Sequence, residues 1–171
     1  MATARFDKVE GLDGTISVTM NAVQFIAFQQ PKPTCLVTEG LNGCSAIAIV
    51  SQHAAILAHV VPRLSTVSDN PHEGDQNMQA RMNEVAALFR HYSNSFGGNR
   101  ACVVYAVMGG STALPDQKAI IDRTLQTLGL DYTNCPYIVV PTASRQPGHG
   151  TIVIDARSGS PKVYVDDERV N

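Results

Sequence analysis

Apolar and polar positions change period several times along the chain, and each change marks an element. Between Gly14 and Met20, Ile16, Val18 and Met20 alternate with Thr15, Ser17 and Thr19, the period of a half-buried strand. Asn21–Phe28 is expected to continue that strand or to pair with it. Pro31 and Pro33 interrupt the pattern, after which Thr34–Thr38 reads as a short strand ending in the loop Glu39-Gly40-Leu41-Asn42-Gly43. Two β-rich runs follow, Ser45–Val50 and Ala54–Val61. The short polar link centred on Ser51-Gln52-His53 joins them most simply as an antiparallel hairpin.

Pro62–Asp75 is rich in Ser, Asp, Asn and Pro and reads as a long surface connection. From Gln76 to Phe96 the apolar positions Met78, Met82, Val85, Phe89, Tyr92 and Phe96 recur every three or four residues, one face of an amphipathic helix stopped by Gly97-Gly98. Ala101–Met108 is a continuous apolar run, the mark of a strand covered on both faces. Gly109-Gly110-Ser111-Thr112 turns the chain into a second helix. That helix has Pro115 in its first turn, Ile120, Ile121, Leu125 and Leu128 on one side, and Gly129 as its stop. Tyr137–Val140, Thr151–Ala156 and Lys162–Asp166 close the chain as strands, the last two forming a hairpin through residues 157–161. Asp166-Asp167-Glu168 reads as a solvated end.

Composition narrows the function classes. One domain over residues 1–171 is expected from the length, and 44% hydrophobic against 16% charged residues supplies a core rather than a disordered tail. Thirteen Lys and Arg against fifteen Asp and Glu leave a net charge of −2, so there is no basic field for a nucleic acid. No apolar run approaches the roughly 20 residues of a membrane span. The first twenty residues carry acids and glycines where an export signal needs an apolar stretch, so a cytoplasmic protein is expected. Cys35, Cys44, Cys102 and Cys135 form no Cys-x-x-Cys pair, and the five histidines show no ligand spacing. Free thiols, no metal and no cofactor are therefore expected.

Candidate chemistry lies at Cys44 and His59. Cys44 follows a glycine-rich loop and opens the hairpin; His59 stands on the returning strand. In an antiparallel hairpin, facing residues have a constant index sum, and an odd sum sets both side chains on one face. At a sum of 103 they are directly opposite; at 105 they are diagonal neighbours. An even sum would separate them. Catalysis therefore requires an even number of loop residues. A neighbouring imidazolium raises the thiolate fraction of a cysteine and makes it a nucleophile. Gly40 and Gly43 let a substrate backbone come close, and the N–H groups around Gly43, Cys44 and Ser45 are candidate oxyanion donors. Cys35, Cys102 and Cys135 read as small buried hydrophobes.

Thr38-Glu39-Gly40-Leu41-Asn42-Gly43-Cys44-Ser45-Ala46, with Ala58-His59-Val60-Val61-Pro62 downstream, resembles the Thr…Gly-Leu-Gly-Ser-Cys…His-x-x-Leu-Pro signature of CheD, the chemotaxis-receptor glutamine deamidases. Val103–Thr112, Asp116–Leu130 and Thr151–Asp166 resemble later segments of that family in matching order. Asn42-Gly43 stands where the family has Gly-Ser. The resemblance implies an α+β fold shared with the catalytic domain of the cytotoxic necrotizing factors, in which two packed β-sheets are flanked by helices. It implies Cys44 as nucleophile, His59 as base and Thr38 as support for the histidine. The implied reaction is cofactor-free hydrolysis of a glutamine side-chain amide in a protein substrate, through a thioester, releasing ammonia. Two other readings keep the same scaffold: a non-catalytic protein-binding module or degenerate enzyme that holds a partner on the Pro62–Asp75 loop or a sheet edge, and an amidase acting on small molecules through the same pair.

Overall fold

The computed structural model describes residues 3–171, with three α-helices and eleven strands among them. Two sheets pack face to face and carry helices on their outer sides, an α+β sandwich of four layers. The first sheet has the order β1 (Thr15–Ser17), β3 (Cys35–Thr38), β9 (Ile152–Asp155), β10 (Lys162–Val165), β11 (Glu168–Arg169). The second runs β2 (Ala22–Ala27), β5 (Ala54–Val60), β4 (Ser45–Val50), β6 (Arg100–Met108), with β7 (Ser111–Thr112) and β8 (Tyr132–Ile138) both on β6. No helix among the described residues is long and apolar enough to cross a membrane.

Strand alternation sorts side chains into three apolar layers. Between the sheets lie Leu36, Ile152, Ile154, Val163 and Val165 from one side and Ala46, Ala48, Val50, Ala55, Leu57 and Val104 from the other. The opposite face of the second sheet carries larger residues, Ile47, Ile49, Ile56, Val60 and Val103. It buries them under α2 (Glu73–His91) and α3 (Pro115–Thr127) through Met78, Met82, Val85, Ile121 and Leu125. Each fully buried aliphatic side chain of this kind contributes roughly 1.5–3 kcal/mol. The outer face of the first sheet is covered by α1 (Arg5–Val9), where Phe6 and Val9 meet Val37, Val153 and Tyr164.

Several boundaries differ from those the pattern predicts, each for a physical reason. Helix α2 starts at Glu73, three residues early, because Asn70 Oδ1 accepts the His72 N–H and Glu73 and Asp75 place negative charge on the first turn. It stops at His91. Ser93-Asn94-Ser95 form a single 3-10 turn, and Tyr92 leaves the helical stripe to stack on Phe25 with centroids 3.7 Å apart. Ser and Asn compete for backbone hydrogen bonds and favour such a turn over continued helix. Strand β8 begins at Tyr132, well before the predicted Tyr137. It pairs only with β6, in parallel, so the missing N–H of Pro136 can face away from the ladder.

Near the amino terminus, β1 and β2 neither merge nor pair. Val18 ends the run in the first sheet, donating its N–H to Val37 O, and Asn21, at φ 60°, swings the chain into the second sheet. Ile16 and Met20 consequently stay exposed, and of that alternating set Val18 alone is buried. The predicted solvated end has a structural role as well. Asp166 Oδ1 accepts the Gly150 N–H at 2.7 Å, and Asp167 Oδ1 accepts the Arg5 N–H at 2.9 Å.

Candidate active site

The β4–β5 hairpin pairs Ser45 with Val60 and Ala46 with His59, an index sum of 105. The sum is odd, so Cys44, the residue that leads into β4, shares the His59 face and is its diagonal neighbour. That face is the inner one. Cys44 packs with Ala46, Ala48 and Leu57 between the sheets, whereas the alternate residues Ile47 and Ala58 point to the helices.

Thr38 comes from the other sheet. Its inward position at the end of β3 sets Oγ1 2.8 Å from His59 Nδ1, and the same hydroxyl donates to Val18 O at 2.7 Å. A hydroxyl has one proton. Since that proton goes to the Val18 carbonyl, the imidazole must supply the other, so Nδ1 carries hydrogen and Nε2 keeps its lone pair. Nε2 is buried and has no hydrogen-bond partner among the described residues. A contact across the sandwich thus fixes which ring nitrogen keeps its lone pair.

Both groups rest uncharged. His59 is 0% exposed, and burial lowers its pKa to about 4. Cys44 is 7% exposed; burial raises its thiol pKa, while the backbone N–H groups of Asn42 and Cys44 and the cation of Arg145 pull the other way. The expected imidazolium beside Cys44 is therefore absent at neutral pH, because a sealed imidazole resists protonation. No hydrogen bond joins Nε2 to the sulfur.

The loop before Cys44 is held by residues that sequence reasoning passed over. Gly43, at φ 113°, donates its N–H to Tyr137 Oη at 2.8 Å, and Tyr137 Oη donates to Cys44 O at 2.7 Å. The Gly43 N–H is thus engaged rather than open to an oxyanion, and Asn42, not predicted, joins Cys44 as a backbone N–H that lowers the thiol pKa. Ser45 is buried within β4 and Gly40 is exposed on the loop. Farther back, an Arg145 guanidinium nitrogen donates to Leu41 O, and Leu41 N–H donates to Gly150 O at 3.0 Å. Gly150 must be glycine: its φ is 72°, and a Cβ there would lie 2.5 Å from Leu41 O. Tyr137 opens a strand that the sequence pattern predicts, with no sign there of which way it faces; nothing local marks Arg145 or Gly150.

The remaining candidates separate from this site. Cys35 is fully buried on the outer face near Asp155, and Cys102 and Cys135 lie on the inner face of β6 and β8. No group of three or more His, Cys, Asp or Glu among the described residues is arranged to hold a metal ion. A cavity of about 270 Å³ opens between Ala48, Val50, Cys102 and Val163, and neither Cys44 nor His59 lines it. No protein-family model matches the sequence, and no curated protein matches it either.

Proposed function

We propose that the chain is a cysteine-dependent amidohydrolase that converts protein glutamine side chains to glutamate. The observation that carries this reading is the Thr38–His59 contact, which leaves an unpaired Nε2 lone pair on the same hairpin face as the Cys44 thiol. The order of Thr38, Gly40, Cys44, His59 and Pro62 and its resemblance to the CheD deamidases support glutamine as the amide.

With both groups neutral, the thiol proton passes to Nε2 as sulfur attacks the amide carbon, rather than beforehand. The N–H groups of Asn42 and Cys44, which lower the thiol pKa, are the donors we assign to the negative charge that develops on attack. The imidazolium returns its proton to the leaving nitrogen, releasing ammonia and a thioester. Water, deprotonated by the same Nε2, then releases glutamate and restores the thiol. The reaction needs no cofactor. Four free thiols suit a reducing compartment, so we place the protein in the cytoplasm.

Ammonia release from glutamine-containing proteins and peptides, set beside release from free small amides, tests the reading. Release from polypeptide glutamine that Cys44→Ala abolishes is expected. Release from small amides alone would move the substrate class, and no release from any amide would overturn the proposal.

A further inference from the structure

Between the loop and the rest of the molecule stands one phenol that touches the backbone on both sides of the Gly43–Cys44 peptide. Tyr137 is 6% exposed and projects from β8 into the space between the sheets. Its oxygen accepts from Gly43 N–H at 2.8 Å and donates to Cys44 O at 2.7 Å. The two contacts use the hydroxyl in both senses, so neither the N–H nor the carbonyl is left unpaired in a buried setting. Burial also pushes the phenol pKa up to about 12, which keeps its proton in place across the working pH range.

We propose that Tyr137 is the positioning residue of the nucleophile, a clasp that ties together the peptides before Gly43 and after Cys44 and so limits the rotation of the Gly43–Cys44 peptide between them. This proposal rests on Cys44 being the nucleophile. That peptide plane sets the direction of the Cys44 N–H, one of the groups that offset the rise of the thiol pKa. A clasp is needed there because Gly43, at φ 113°, has no Cβ to restrict its own backbone. Without the phenol oxygen, the Gly43 N–H and the Cys44 carbonyl lose their shared partner, and the Gly43–Cys44 peptide held between them is free to turn. The sulfur then loses an N–H that favours its anion and leaves its aligned position relative to His59. Misplacement of about 1 Å at a reacting centre costs on the order of a hundredfold in rate.

Tyr137→Phe keeps the ring and removes the oxygen. The pH midpoint of Cys44 alkylation by iodoacetamide is expected to move up by at least about half a unit, since one N–H worth of thiolate stabilisation is lost. On a glutamine peptide, kcat is expected to fall tenfold or more with KM nearly unchanged. Leu125→Ala, in the helical layer far from the loop, serves as the comparison: it lowers Tm and leaves the midpoint where it was. If Tyr137→Phe shifts neither midpoint nor kcat, or if Leu125→Ala shifts them equally, the clasp is wrong. Should Tyr137→Phe not fold, hydrogen exchange of the Gly43 amide in the unmodified chain decides instead. Strong protection supports the clasp, and exchange at the rate of an open loop overturns it. A chain that releases no ammonia refutes the deamidase reading, yet the alkylation midpoints still judge the clasp.

Discussion

Thr38 and His59 belong to different sheets and meet in the middle of the sandwich, Oγ1 to Nδ1 at 2.8 Å, with Val18 O taking the threonine proton at 2.7 Å. Two strands and the residue that follows β1 therefore converge on the protonation pattern of one ring. Thr38→Val removes the acceptor for Nδ1–H and releases the tautomer, and deamidation is expected to fall roughly ten- to a hundredfold by the logic of orienting groups behind a catalytic histidine. Thr38→Ser keeps the oxygen and is expected to retain most activity. Steady-state rates of the two variants check this, and equal losses would separate the hydroxyl from catalysis.

On the proposed reaction, the acid limb of the activity profile is expected to report His59. With its pKa lowered to about 4 by burial, the base stays neutral well below the range of an ordinary histidine. kcat/KM is expected to stay level as pH falls from 7 to 5 and to decline as it passes through about 4. A limb near pH 6.5 would show an imidazole open to water.

The same burial links folding to pH. Unfolded His59 takes up a proton near pH 6.5, whereas the folded ring does so only near pH 4, so the unfolded state binds more protons between those values. Its contribution is complete above about pH 6.5 and is lost as pH falls toward 4, amounting to roughly 3 kcal/mol if the whole shift is realised. Denaturant midpoints measured from pH 7 to 4 are expected to fall less steeply for His59→Gln than for the unmodified chain.

Cys44 contributes little to packing, lying at the edge of the inner layer as the chain enters β4. Cys44→Ala deletes one buried sulfur and is expected to cost about 1 kcal/mol, a few degrees in Tm for a chain of this size, while abolishing ammonia release. A Tm loss above about 10 °C would mark the cysteine as structural.

Gly150→Ala tests the support beneath the loop. The substitution forces a side chain into φ 72° and brings a Cβ to 2.5 Å from Leu41 O, so strain and overlap act together. A loss of about 2 kcal/mol or more is expected, with slower turnover, because Leu41 lies three residues ahead of Cys44, the proposed nucleophile. Thermal melts and rates on the same preparation check both.

What the chain alone determined is local. The parity that puts Cys44 and His59 on one face came only with the observed strand pairing, but the stripe Met78, Met82, Val85 required a helix and the polar Ser51–His53 link a hairpin. Periodicity and loop length carry such facts because they act over a few residues. Where elements end depended on partners instead: Tyr92 left its helix for Phe25, and β8 gained five residues by lying along β6. The site itself was completed at long range. Thr38 reaches His59 across 21 positions, Tyr137 reaches Cys44 across 93, and Arg145 reaches Leu41 across 104. The neutral state of the pair was likewise decided by the closing of the two sheets, because the desolvation that lowers the histidine pKa exists only once both faces are in contact.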